Sequence, residues 1–242
     1  MLLKNFANYF KKGSVCVVGM KGSGKDMLFA NVTATRKKAY ISNTNYHIKG
    51  VSFLPLRFDL LDVGKNSYRN FVEGNLNKYV YPYGDEMDIY IADCGVYFPA
   101  QYCNELNKLY PHIPTYMALS RQLGESRVHI NCQNLNRIWD KLREHSDFYV
   151  YCNKCIYIKG FIIQSVTIYD KYESCVNRVK PFKMRLPIGA KKEMKNLALI
   201  EKEKFRIANG MIENKILIYR NKSKYNTRIF KEMLENGKEI QH

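Results

Sequence analysis

Apolar residues run along this chain in short bursts, and the polar or glycine residues that end each burst predict its elements. SVCVVGM at 14–20 is apolar and β-branched, the mark of a strand buried on both faces. MLFANVTATRKK, which follows a glycine-rich stretch, is compatible with a helix. KKAYISN at 37–43 predicts a second strand, and VSFLPLRF at 51–58, carrying Pro55, predicts an edge strand or a loop. Residues 66–86 read as a helix closed by a turn at Tyr83-Gly84-Asp85. Two further strands end in a polar residue: Ile89 to Ala92 runs into Asp93, and RVHINCQ at 127–133 closes on Gln133. NLNRIWDKLREHSDFYV at 134–150 reads as a helix with Arg137 and Lys141 on one face and Ile138 and Leu142 on another. CIYIKGFIIQSVTI at 155–168 predicts a β-hairpin, with a tight turn at Asn153-Lys154 before it. From Lys191 to Asn209, Met194, Leu197, Ala198, Ile200, Phe205 and Ile207 alternate with charge, the pattern of an amphipathic helix that packs on something.

The chemistry sits where the first strand meets the first helix. Gly19-Met20-Lys21-Gly22-Ser23-Gly24-Lys25 has the spacing of a phosphate-binding loop, in the strand–loop–helix context that such a loop needs. Glycines let successive N–H groups turn toward phosphate oxygens, and the helix N-terminus adds a favourable dipole. Gly19, Gly22, Ser23, Gly24, Lys25 and Asp26 are therefore the expected nucleotide contacts, with Lys25 reaching the β- and γ-phosphates. Asp26 stands where a Ser or Thr normally holds Mg²⁺. A carboxylate is a good hard-oxygen ligand but adds negative charge beside a triphosphate.

Asp93 at the end of its strand reads as a Walker B aspartate that orders Mg²⁺, or as a cap on the next helix. The residue after it is Cys94, where fast ATPases carry a glutamate that polarises water; a neutral thiol cannot do that. Glu105 and Glu125 are the carboxylates available to replace it in space. Gln133 is placed to sense a γ-phosphate or simply begins a loop. Arg121, Arg137 and Arg143 are the arginines available as a finger toward a neighbouring subunit, with solvated surface as the plainer reading.

Charge then narrows the partners. The chain's 242 residues carry 39 Lys and Arg against 22 Asp and Glu, a net +17. Residues 1–40 hold +7 of this and residues 151–242 hold +11. A polyanion is the implied partner, and nucleic acid fits best in YRNKSKYNTR at 219–228. There Arg220, Lys222, Lys224 and Arg228 would neutralise phosphates, while Tyr219 and Tyr225 would stack on bases. A lysine-rich solvated surface gives the same counts. Lys4 breaks the apolar start, no run reaches the 18 apolar residues of a membrane helix, and the 7 cysteines are odd in number and scattered. A cytoplasmic protein with no integral membrane segment is expected. Cys152 and Cys155 lack the second pair that a zinc site needs.

The order VVGMKGSGKD, IYIADCGVYFP, SRQLGESRVHINCQNLNRIWDKLREHSDFYVY resembles the zonula occludens toxin (Zot) family, assembly ATPases of filamentous phages within the FtsK–HerA group of P-loop motors. Phe98-Pro99, Ser120-Arg121, Gly124, Gln133 and Arg143 match that pattern, and the resemblance covers about residues 13–170. It implies an α/β fold of the RecA-like, additional-strand (ASCE) P-loop type, with a mainly parallel sheet flanked by helices. Residues 1–170 would form the ATPase domain and 171–242 a basic, mostly helical extension. It also implies ATP and Mg²⁺ as ligands, a homo-oligomeric ring, and DNA and the structural proteins of a phage or mobile element as partners. The work would be DNA translocation or packaging, or virion morphogenesis. The residues depart from the family at Asp26, at Cys94 and in lacking the transmembrane helix that usually follows the ATPase domain. A nucleotide-binding relic with a structural or nucleic-acid-binding role is the competing reading. A small-molecule kinase is a third, disfavoured by the charge and by Gln133.

Overall fold

The computed structural model describes residues 1–56, 87–111, 113–114, 117, 127–184, 186–189 and 191–223. Its frame is one eight-stranded sheet: β1 (Val15–Val18), β2 (Tyr40–Ser42), β3 (Phe53–Pro55), β4 (Asp88–Ile91), β5 (Val128–Cys132), β6 (Phe148–Ile158), β7 (Phe161–Tyr169) and β8 (Ile212–Arg220). They lie in the order β3-β2-β4-β5-β1-β6-β7-β8. The first six strands in that order pair in parallel, β7 pairs antiparallel with β6, and β8 antiparallel with β7. β5, which ends beside Gln133, is inserted between β1 and β4, the additional strand expected of this P-loop class. The chain is therefore a mixed α/β P-loop NTPase fold.

Each central strand is buried on both faces, which is why VCVV and VHINC read as continuous runs rather than alternations. On one face Cys16, Ile91, Ile130, Phe98 and Trp139 share a core. On the other, β1 and β7 pack against two helices, α1 (Leu3–Lys12) and α2 (Lys25–Arg36). α1 buries Leu3, Phe6, Ala7 and Phe10, the i, i+3, i+4, i+7 spacing of one helical stripe. Lys4 interrupts the apolar run at the N-terminus without disturbing that stripe, because it falls on the exposed side of the helix.

Several expectations change. Residues 134–150 are not one helix: a 3₁₀ turn at Leu135–Arg137 and a short helix at Asp140–Arg143 lead straight into β6. Trp139 and Ile138 are fully buried there, so packing sets the path of this segment. Asn153-Lys154 is no turn. β6 continues through it with a bulge between Cys152 and Lys154, and the hairpin turns at Lys159-Gly160 instead. The helix Lys192–Asn209 forms as expected, yet buries none of its residues against the described chain. The sheet also runs past residue 170, because β8 pairs with β7 along nine positions. The helix expected over 66–86 lies outside the described residues.

α2 is anchored at its far end by an ion pair between Arg36 and Asp88 at the start of β4, with both side chains almost wholly buried. Arg36 also donates to the Phe10 carbonyl at 2.8 Å. Burial pushes the Asp88 carboxyl above the usual range despite the opposing pull of Arg36, so the pair is held by geometry and not by solvation. Removing one partner strands the other charge. Arg36→Ala is expected to destabilise the protein by about 3–5 kcal/mol in denaturant unfolding.

Candidate functional site

β1 ends at Val18, and the chain turns through residues 19–24 before α2 begins at Lys25. Gly22 and Gly24 both sit at positive φ, +80° and +82°, which other residues adopt only under strain. A side chain at Gly24 would also strike Cys155 Sγ at 2.7 Å, and one at Gly19 would meet the Cys152 carbonyl at 3.0 Å. The loop thus lies flat on β6. Lys25 is buried and, among the described residues, makes no ion pair. Ser23 Oγ is buried without a hydrogen-bond partner among the described residues. A buried ammonium and an orphaned hydroxyl at the N-terminus of a 12-residue helix are a donor set that suits phosphate oxygens.

Asp26 and Asp93 are brought to the same place by a residue between them. Asn131, fully buried in β5, donates from Nδ2 to Asp26 Oδ1 at 2.7 Å and accepts the Asp93 N–H on Oδ1 at 2.7 Å. Burial pushes the Asp26 carboxyl up, and the Asp93 charge adds to that; Lys25 and Asn131 pull it down. Asp93 itself has φ +48° and its side chain makes no cap hydrogen bond to the short helix Cys94–Tyr97. The capping alternative therefore has no support in the geometry. Two neighbouring carboxylates, without a third ligand among the described residues, suit Mg²⁺, which takes one or two carboxylates and completes its shell with phosphate and water.

Cys94 does not face this spot. The turn at Asp93 sends it into the core, fully buried, where burial raises its thiol well above the ordinary range. Gly95 and Val96 line the cavity instead, a hollow of about 120 Å³ that they share with Asp93, Gln133 and Arg137. A second cavity of about 450 Å³ shares Gln133 and Arg137 with it and is bounded by Met20, Lys21, Tyr151 and Arg178 among others. Gln133 thus stands between the loop and Asp93. Of the three candidate arginines, Arg137 lines both cavities. Arg143 lies over the Tyr172 ring at 4.9 Å and lines neither, and Arg121 lies outside the described residues. Glu105 is exposed on the helix Cys103–Leu109 and lines neither cavity; Glu125 lies outside the described residues.

Of the basic segment, Arg220 is exposed at the end of β8 and Lys222 just beyond it, whereas Lys224, Tyr225 and Arg228 lie outside the described residues. Tyr219 is not a stacking platform. It is buried, and its hydroxyl donates to Gln164 Oε1 at 2.7 Å. Sequence reasoning also passed over Asn131, Gln164 and Arg178. The signal for the first two was present: each is a lone amide inside an apolar strand, a costly place unless its hydrogen bonds are all made. Arg178 carried no such signal; a tight turn at φ +49° sets it over the Tyr151 ring at 4.7 Å.

Because the Asp26 carboxyl holds its proton to a higher pH in the folded chain than in the unfolded one, it contributes stability that is present at low pH and lost as pH rises through its folded value. Asp26→Asn is therefore expected to raise the Tm of the ligand-free protein by about 2–4 °C at neutral pH. The gain should vanish below about pH 4, where Asp26 is protonated in both states. The same substitution should weaken Mg²⁺-dependent nucleotide binding, which in the wild type should strengthen as pH rises and Asp26 ionises. Calorimetric melts across pH, with and without Mg²⁺ and nucleotide, check both arms.

No protein-family model matches the chain, and no curated protein matches its sequence. Among solved structures it is similar to the N-terminal domain of zonular occludens toxin from Neisseria meningitidis, at 9% identity and a TM-score of 0.44, over 90% of this chain and 97% of that one. It is also similar to the genome packaging NTPase B204 from Sulfolobus turreted icosahedral virus 2 in complex with AMP, at 15% identity and a TM-score of 0.39, over 72% and 97%. A third likeness is EssC (ATPases 2 and 3) from Geobacillus thermodenitrificans, at 11% identity and a TM-score of 0.44, over 93% of this chain and 42% of that one. These likenesses are distant, and the reading of the site rests on its own geometry.

Proposed function

We propose that this chain is a P-loop ATPase of a phage or mobile element, acting in DNA translocation or packaging or in virion morphogenesis. The observation that carries the nucleotide part is the buried Lys25 at the head of α2, without an ion pair among the described residues, set beside the Asp26–Asn131–Asp93 bridge and Gln133. In this reading the amides of residues 19–25 and the Lys25 ammonium hold the phosphates of ATP. Asp26 and Asp93 hold Mg²⁺, which would offset the charge of the phosphate oxygens. Gln133 orients water or reads the γ-phosphate across the small cavity, and Arg137 faces the same space. Arg121 or Arg143 would act only from a neighbouring subunit, in a homo-oligomeric ring.

DNA as the partner is supported by the +17 charge and by exposed Arg220 with Lys222, while Lys224, Tyr225 and Arg228 continue the same basic stretch in sequence. The place of action in this reading is the cytoplasm of a host cell. Among the described residues no helix is long and apolar enough to cross a membrane. The competing reading, a nucleotide-binding relic, draws on Cys94. With that position buried, no described glutamate lines either cavity to activate water. Turnover would then fall to Asp26, Asp93 and Gln133.

ATP hydrolysis by the purified protein, with and without single- and double-stranded DNA, separates the two. A motor should show turnover that DNA stimulates and that Gln133→Ala suppresses. In Lys25→Ala nucleotide affinity should fall about 10- to 100-fold, the worth of a charge-assisted contact to phosphate. Nucleotide binding without turnover, with or without DNA, would favour the relic. No binding by the wild type would end both.

A further inference from the structure

A loop that turns its N–H groups outward to a ligand turns carbonyls inward, and here two of them are buried against the sheet. Ser23 and Gly24 present their carbonyl oxygens to β7, and an acceptor buried there needs a donor from the protein. Gln164 reaches both: its Nε2 donates to the Ser23 carbonyl at 3.1 Å and to the Gly24 carbonyl at 3.2 Å, the latter also accepting the Leu28 N–H of α2 at 2.8 Å. One amide nitrogen carries two hydrogens, so both are used. The amide works in only one orientation, because a flip would set its oxygen against two carbonyls. Tyr219 fixes that orientation by donating its hydroxyl to Gln164 Oε1 at 2.7 Å. Gln164 is fully buried and Tyr219 nearly so.

A second set of bonds ties the same region together. Asn31 of α2 donates from Nδ2 to Asn221 Oδ1 at 3.0 Å and accepts the Lys222 N–H on Oδ1 at 2.8 Å. The turn after β8 is thereby fastened to the helix that starts at the loop. One tie reaches the loop through Gln164 of β7, which Tyr219 of β8 orients, and the other reaches the helix from the turn just after β8.

We propose that Gln164 and Tyr219 are positioning residues of the phosphate-binding loop, and that through them and Asn31 the end of β8 moves as one unit with the nucleotide site. This rests on the nucleotide-binding reading for its consequence, because the loop conformation being held is the one that presents amides to phosphate. Tyr219 acts through Gln164, so the two effects should not add. By linkage, a nucleotide that favours one loop conformation also favours the docked end of β8.

The test uses Gln164→Met, close in volume and without donors, and Tyr219→Phe. In ligand-free protein, hydrogen exchange at the amides of 22–26 should speed up about 10-fold in Gln164→Met and about 3-fold in Tyr219→Phe, with the double variant matching Gln164→Met. Affinity for a fluorescent ATP analogue should fall by similar factors, while exchange in distant β4 and β5 stays unchanged. In wild type, saturating nucleotide should slow exchange at 217–223, and Gln164→Met should remove that response. Unchanged loop exchange in Gln164→Met would overturn the proposal, as would a general loss of protection throughout the sheet or additive effects in the double variant. Absence of nucleotide binding in wild type, with the loop still loosened by Gln164→Met, would sink the nucleotide reading while leaving the positioning role standing.

Discussion

The constraint on which this site depends is that a backbone cannot aim its N–H groups at a ligand without aiming carbonyls the other way. The loop between β1 and α2 meets it by lying on β6 and β7, which leaves no room for side chains at Gly19 or Gly24 and demands donors beneath Ser23 and Gly24. Everything nearby answers to that placement. β6 runs parallel to β1 so that Cys152 and Cys155 form a floor. β7 brings the amide that caps the carbonyls, and β8 brings the hydroxyl that orients the amide. On the opposite side, Asn131 spans the gap between the first turn of α2 and the end of β4. The site is thus a loop clamped from two flanks of one sheet.

How much of this was legible follows from how local each signal is. The loop announces itself because its glycines, its lysine and its flanking strand and helix are contiguous in sequence. The edge position of β3 was legible from Pro55, and the additional strand from an apolar run ending in Gln133. Asn131 and Gln164 were visible only as misplaced amides, because their partners at the start of α2 and in the loop lie 105 and 140 or more residues away in sequence. Tyr219 was misread for the same reason: a tyrosine flanked by Arg220 and Lys222 looks like a stacking residue until β8 is paired to β7 and turns it inward.

Two other misreadings have one cause, which is that local periodicity cannot register a change of phase. In β6 the bulge after Cys152 puts two residues against one, so Cys152 opposes Val166 and Cys155 opposes Gln164, and both thiols fall on the face beneath the loop. A strict alternation across YVYCNKCIYI would have split them, and a turn was the natural inference. At 134–150 the apolar positions suit a helix, yet Ile138, Trp139 and Leu142 are buried on a path made of a 3₁₀ turn and a separate short helix. At Cys94 the backbone decides in a similar way: the positive φ at Asp93 turns the next residue into the core.

The bond from Tyr219 to Gln164 also bears on when the site comes into being during synthesis. The loop is complete in sequence by residue 25, but the donor beneath it lies at 164 and the hydroxyl that fixes that donor lies at 219. Such long-range contacts close late, after the intervening loops have been ordered. A nascent chain therefore carries its glycine-rich loop through most of translation without the means to hold it in shape. The hydrogen bonds that hold the loop are complete only once β8 has emerged and paired, which makes the first motif in the sequence among the last parts of the structure to be finished.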